Sequence, residues 1–217
     1  MAAHSYSRLH AYATCPSILQ FMRDRIRGET SDPLMLGGFA HEFFARYTRH
    51  CQTDALGTDL SQVRRIAEQT LDAYQVDARG HGNLPLTHAQ YAAAYADLCV
   101  PFAKSRLFDW SRIVGIEVLL AMTQEFELCV WLDDSVWFRA VLDLLEIEDD
   151  HAEITDYKTG WDTDADRLQM RCYAWLVFRL YPQIRTITCC FDYIRFNVQK
   201  NGLKATTKCS LRPGRTV

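Results

Sequence analysis

Asp143, Asp156 and Lys158 are the residues around which chemistry is easiest to build. Asp156 and Lys158 are two apart in EITDYK, an apolar segment that reads as a β-strand. Alternate strand residues share a face, so the two side chains project side by side, with Ile154 on the same side. Asp143 lies in VWFRAVLDLLEIE (136–148), a long strand candidate, and a turn at Asp149, Asp150 and His151 folds it back towards EITDYK. A hairpin partner could thus set Asp143 beside the other two. Two carboxylates converging next to a lysine can hold a hard divalent cation through oxygen ligands and keep an ammonium near the water it activates. Gln169 and Tyr173 stand i and i+4 on a following helix, neighbours on one face and able to hydrogen-bond a phosphate or sugar. The chain uses arginine 19 times and lysine five times, and three of the five lysines fall after residue 199. A body lysine beside an aspartate therefore points to a need for an ammonium rather than a guanidinium. Taken alone, Asp-x-Lys on a strand equally describes an exposed cross-strand charge pair.

The elements that must position these residues follow from periodicity. Residues 5–26 read as helical, with Ser5 or Ser7 as N-cap and a break near Thr14 to Pro16. Gly37–Gly38 leads into a short aromatic helix, FAHEFFARYTRH. Val63, Ile66, Ala67, Leu71 and Tyr74 keep the 3.6-residue period, as do Tyr91, Tyr95, Leu98 and Phe102, with RGHGNLPLTH as the loop between. After residue 110 the period changes to two. Residues 113–121 are a strand candidate; QEFELCVWL alternates apolar and polar side chains like a half-buried strand; Asp133–Asp134–Ser135 is a turn. Residues 166–181 form an apolar helix stopped by Pro182, and TITCCFDYIRFN (186–197) closes the set as a β-rich segment. The order is a helical half followed by β-β-β-β-α-β, an α/β arrangement with a largely antiparallel meander and one crossover helix.

The 217 residues carry a net charge of −3, unevenly spread. Residues 1–28 sum to +3 and residues 195–217 to +6, which leaves −12 for the middle. Two basic ends around an acidic body fit a polyanion partner with a metal site between them; a solvated basic tail fits as well. No stretch reaches the ~20 apolar residues of a membrane helix, and the first residues lack a signal peptide's apolar run. No membrane association is expected, and a cytoplasmic location is. Eight cysteines without a single CxxC read as reduced, small apolar residues, and adjacent Cys189 and Cys190 should face opposite ways.

Asp143, then Asp156-Tyr157-Lys158 within ITDYKTG, then Gln169 and Tyr173 resemble the nuclease motifs of the PD-(D/E)XK superfamily, in particular its RecB/AddB-like exonucleases and their CRISPR-associated relatives. His41 in GGFAH matches that group's Gly-x-x-x-His when Gly37 is taken as the glycine, and SYSRLHAYATCPSILQF resembles its N-terminal segment. The resemblance spans residues 5–197. It implies an α/β, restriction-endonuclease-like core, a mixed β-sheet meander with a crossover helix, behind a helical N-terminal half. Residues 1–110 would form the helical region carrying His41, 111–199 the nuclease core, and 200–217 a flexible basic tail. The implied activity is a metal-dependent DNA nuclease, an exonuclease, serving recombination, repair, phage replication or CRISPR adaptation. Its partner would be DNA, single-stranded or with an end; protein partners are not indicated. Asp143 and Asp156 would bind Mg²⁺ or Mn²⁺, with His41 as a nitrogen ligand and the Tyr157 main-chain carbonyl completing the shell. Lys158 would orient or help deprotonate the attacking water, and Gln169 and Tyr173 would position substrate. Glu117, in IEVLL, resembles an upstream glutamate of the family. Two departures stand out. Ala140 replaces a glycine common three residues before the first aspartate. Cys15 matches the early ligand of a [4Fe–4S] cluster, but only Cys209 lies beyond the last strand, so no such cluster is expected. Two other classes compete: a non-catalytic DNA-binding or scaffold module with the same fold, and an unrelated α/β hydrolase or binding domain in which His41 never meets the carboxylates.

Overall fold

The computed structural model describes residues 3–24, 32–53, 59–80, 86–105, 108–162 and 166–206. Arg25, Arg27, the loop residues 81–85 and the tail 207–217 with Cys209 lie outside the described residues. Ser5 caps α1 (Tyr6–Thr14) by accepting from the Arg8 amide. Cys15 leaves helical space because a proline follows it, and Pro16 opens α2 (Pro16–Arg23), where its missing N–H costs nothing.

Helix α3 (Asp32–Thr53) is longer than the aromatic segment alone, because it runs straight through Gly37–Gly38. The pair is a contact point, not a break. A Cβ on Gly37 would stand 3.3 Å from Thr159 Oγ1, and one on Gly38 3.3 Å from the Tyr74 ring. Helical propensity falls by about 1 kcal/mol per glycine, and in return α3 lies close against Thr159, one residue beyond Lys158. Helix α4 (Leu60–Gly80) follows, then α5 (His88–Ala94) behind a Thr87–Gln90 capping box, one π-helical turn (Tyr95–Cys99), and α6 (Val100–Ser105).

The strands β1 (Ile113–Met122), β2 (Phe138–Glu148), β3 (His151–Lys158), β4 (Thr186–Tyr193) and β5 (Val198–Thr206) form one sheet in chain order. Every neighbouring pair is antiparallel except β3 and β4, which are parallel. A parallel pair needs a crossover, and α7 (Arg167–Leu180) supplies it. One face of the sheet buries Leu142, Ile154 and Ile187 against Met170 and Leu176 of α7. The other packs Leu144 and Tyr157 against Phe39, Phe43, Phe44 and Phe102 of the helical half. Phe44 and Phe102 stack at 4.2 Å, and Tyr157 sits edge-on to both. The mixed sheet, the crossover helix and the α/β class agree with the sequence.

Two segments differ from it. QEFELCVWL is a turn-rich connection that touches β1 only through a Met122–Leu128 bridge. Thr123 folds the chain there, its hydroxyl accepting from the Glu125 and Glu127 amides, so β1 pairs with β2 directly. The alternating Leu128, Val130 and Leu132 are left 68%, 74% and 83% exposed. Secondly, residues 200–206, expected in a flexible tail, are the body of β5. This edge strand is polar and lysine-bearing, a pattern that hides a strand from periodicity while it discourages edge-to-edge pairing. Cys189 and Cys190 do face opposite ways, Cys189 towards the Met170 carbonyl and Cys190 towards Asn201.

Gly202 lies at the β5 register shift, where a Cβ would meet the Phe191 ring at 2.9 Å and Met170 at 3.1 Å. Gly202→Ala should therefore cost about 1–3 kcal/mol through overpacking. A urea-unfolding midpoint reads the change, and an unmoved midpoint would mean that the Phe191 ring swings away freely.

Candidate active site

The register of the sheet brings three carboxylates to one level. Ile116 pairs Leu144 and Val118 pairs Leu142, so Glu117 of β1 stands opposite Asp143 of β2. On the other side the β2–β3 ladder ends at Leu144 and Thr155, one step before Asp143 would meet Asp156. There the strands part. The Tyr157 amide, which loses its ladder partner, donates instead to Asp143 Oδ2 at 2.7 Å. Glu117 itself is in the left-handed region (φ 53°) at an irregular part of β1. That conformation is uncommon for a residue with a Cβ, and such strain clusters at functional sites.

Helix α3 delivers the fourth group, one turn after Gly37. His41 Nδ1 lies 3.2 Å from Asp143 Oδ1. Among the described residues, His41, Glu117 and Asp143 each offer a ligand atom within 4.8 Å of the others'. Asp156 is beside this trio and outside it. It shares the α7-facing side of β3 with Ile154, and Gln169 Nε2 donates to its Oδ1 at 2.8 Å. The Lys158 ammonium stands 2.6 Å from its Oδ2. That ammonium is the polar partner of the buried Oδ2 and lowers the carboxyl against its burial. Lys158 also donates to Gln169 Oε1 at 2.8 Å and rests over the Phe191 ring at 5.2 Å. Gln169 completes its set by donating to the Tyr173 hydroxyl at 2.8 Å. Burial pushes the Tyr173 phenol up, so it stays protonated.

The side chains expected at the metal and substrate thus gather, but in two linked groups: His41 with Asp143, and Asp156 with Lys158, Gln169 and Tyr173. Glu117, known from the sequence only by resemblance, joins the first group. The N-terminal segment closes one side. Tyr6 donates to Asp166 Oδ2, and Asp166 caps α7 at the Leu168 amide. Ser5, Tyr6 and Ser7 thereby line a cleft with Gln169, Tyr173 and Arg139. Cys15 sits partly buried between α1 and α2, outside this gathering.

The electrostatics ask for a cation. Burial and the Asp143 charge raise the Glu117 carboxyl to about 7. Burial and Asp143 likewise raise Asp156, against the opposing pull of Lys158 and His41. At His41 burial works downward, yet Asp143, Asp156 and Glu117 together outweigh it and lift the imidazole to about 9. Carboxylates side by side across strands repel, and burial adds to the cost of their charge. A donor set of one imidazole and two or three carboxylates suits a divalent metal, with the nitrogen favouring Mn²⁺ or a later transition ion over a purely oxygen-seeking one.

A pH dependence follows. His41 and Glu117 hold their protons to higher pH in the folded chain than in the unfolded one. Their stabilising contribution is complete at low pH and is lost as pH rises through about 7 for Glu117 and about 9 for His41. A divalent cation that displaces these protons should therefore raise the melting temperature more at about pH 8 than at about pH 5.5. Melting curves with and without Mn²⁺ at both pH values test this; an equal shift at both would refute it.

No helix among the described residues is long and apolar enough to cross a membrane. No individual curated protein matches the chain. A family model does: that of the PD-(D/E)XK nuclease superfamily, over residues 3–205. The match takes in both helical layers and nearly the whole sheet, not merely the strand that carries Asp156 and Lys158, and on that extent the chain belongs to the PD-(D/E)XK nuclease superfamily.

Proposed function

We propose that this protein is a metal-dependent deoxyribonuclease of the RecB/AddB-like kind, working as an exonuclease on DNA ends in the cytoplasm. The observation that carries the reading is the meeting of His41 from α3 with Asp143 and Glu117 of the sheet, beside the Asp156–Lys158 pair. An unrelated hydrolase has no reason to bring a helix histidine to those carboxylates. His41, Asp143 and Asp156 would hold Mg²⁺ or Mn²⁺, Glu117 would join them directly or through water, and the Tyr157 carbonyl is the remaining candidate ligand. A cation held there would supply a water of lowered pKa and a polarised phosphoryl oxygen.

The chain's own residues do the rest. Lys158, held between Asp156 and Gln169, orients the attacking water and offsets charge that builds on the phosphate oxygens. Asp156 keeps that ammonium in place through its Oδ2. Gln169 ties Asp156, Lys158 and Tyr173 into one unit, so the strand and α7 move together. Tyr173 and the serine-rich edge of α1 face the cleft that a DNA strand would occupy. Recombination, repair, phage replication and CRISPR adaptation all need such an activity.

Labelled linear single- and double-stranded DNA and a closed circular DNA, each with Mn²⁺ or Mg²⁺, test the proposal. The wild type should shorten linear DNA and spare the circle, and Asp156→Ala and Lys158→Ala should leave both intact. If the wild type cleaves no better than those variants, the protein is a non-catalytic DNA-binding or scaffold module.

A further inference from the structure

Because β3 and β4 are parallel, their carboxyl ends leave the sheet along the same edge, with Lys158 opposite Tyr193. Open α/β sheets hold ligands beyond that edge. The two segments departing from it carry an aromatic pair that the chemistry above does not use. Trp161, three residues past Lys158, is 74% exposed, and Phe196, three past Tyr193, is 41% exposed. Their rings meet edge to face, with centroids 6.2 Å apart.

An indole left in water is uncommon, and this one is firmly mounted. The Arg195 guanidinium lies over its ring at 4.4 Å. Arg195 is itself fixed: its Nε donates to the Thr159 carbonyl at 2.9 Å, and its Nη1 pairs with Asp97 at 2.7 Å. Asp97 comes from the π-helical turn between α5 and α6. Thr159 packs against α3 at Gly37, one turn before His41. The ring is thus backed by a partly buried cation, supported from α3 and from the π-turn, and most of its surface faces solvent. Its backbone is within about 10 Å of that of Lys158.

We propose that Trp161, backed by Arg195 and flanked by Phe196, is a stacking platform for an unpaired base of the DNA strand being cut. The proposal rests on the nuclease reading and adds the form of the substrate: at least one nucleotide next to the scissile phosphate is out of its duplex. Every base has a π-face, so a bare indole recognises single-stranded nucleic acid without preference for sequence. Arg195 behind the ring adds cation–π attraction and fixes the ring's tilt. A base inside a duplex has both faces covered by its neighbours and cannot use the platform.

The test separates bases from phosphates. A labelled thymidine oligonucleotide and an abasic strand of the same length are titrated against the full chain by fluorescence anisotropy in metal-free buffer. Phosphate contacts are common to both strands, so the ratio of affinities isolates stacking. The wild type should prefer the base-bearing strand by about tenfold, the size of one base–aromatic stack. Trp161→Ala should bring the ratio near one, Trp161→Leu should do the same although it keeps apolar bulk, and Trp161→Phe should retain most of the preference. A wild-type ratio near one overturns the proposal, as would be found if Trp161 served a protein surface; so do alanine and leucine variants that keep the wild-type ratio. Cleavage of linear DNA by the wild type with Mn²⁺ is scored apart. Cleavage without base preference defeats the platform and spares the nuclease, whereas base preference without cleavage does the reverse.

Discussion

Asp143→Asn should leave the protein folded and lower its nuclease activity by at least about 10³-fold. The asparagine carbonyl can still accept from the Tyr157 amide, so the opening between β2 and β3 keeps its closing hydrogen bond. What disappears is the one negative charge that faces both His41 and Glu117. The trio then offers a divalent cation a single carboxylate and an imidazole, and affinity for Mn²⁺ should fall with activity. Asp143→Ala differs in a telling way. It removes the acceptor as well, leaving a buried amide unsatisfied beside the Phe44–Phe102 stack at a cost of about 1–3 kcal/mol. Single-turnover cleavage, Mn²⁺ calorimetry and melting curves on both variants separate the two roles. An asparagine variant within tenfold of wild type would remove Asp143 from the chemistry.

The second large effect belongs to Lys158. Lys158→Met should reduce cleavage by about 10²–10⁴-fold, the usual worth of a positioned proton-handling group. Lys158→Arg should not restore it. The ammonium sits in a niche bounded by Asp156, Gln169 and the Phe191 ring, and a planar guanidinium is the wrong shape for it. The methionine variant carries a second signature. Lys158 holds the raised Asp156 carboxyl down against burial and Asp143. Without the ammonium that carboxyl rises further, so the acid limb of the pH–rate profile at fixed Mn²⁺ should move to higher pH. A profile that only drops, with its inflection unmoved, would mean that Lys158 does not bear on the ionisation of Asp156.

The site was largely visible in the sequence because its parts obey simple periods. Asp156 and Lys158 are i and i+2 on a strand, Gln169 and Tyr173 are i and i+4 on a helix, and a tight turn brings β2 to β3. Glu117 shows where that reasoning ends. Its place opposite Asp143 rests on an irregular stretch of β1 and a left-handed backbone, and no pattern of apolar residues announces either. His41 was identified by resemblance alone; nothing in its helix says that α3 points it at the sheet. The errors in the fold have a common cause. Alternation in QEFELCVWL imitated a strand where the Thr123 hydroxyl turns the chain, and the lack of alternation in β5 concealed one. Both segments sit where burial is one-sided or absent, and there the link between period and structure weakens. Gly37–Gly38 read as the lead-in to a short helix because backbone freedom is visible in a sequence, whereas the close packing of α3 against Thr159 is not.

Asp143 takes the place of a missing rung in the ladder between β2 and β3. An acid at this position therefore answers two separate demands, the proposed metal chemistry and the Tyr157 amide. A descendant that lost its nuclease activity and survived as a DNA-binding scaffold would still need an acceptor for the Tyr157 amide, and would keep Asp143 or replace it with asparagine. Lys158 and Glu117 close no such gap in the backbone ladder: the one pairs with the side chains of Asp156 and Gln169, and the other bears a strained backbone. For telling working enzymes from retired ones among proteins of this shape, the lysine and the upstream glutamate are the better witnesses, and the first aspartate is the poorer one.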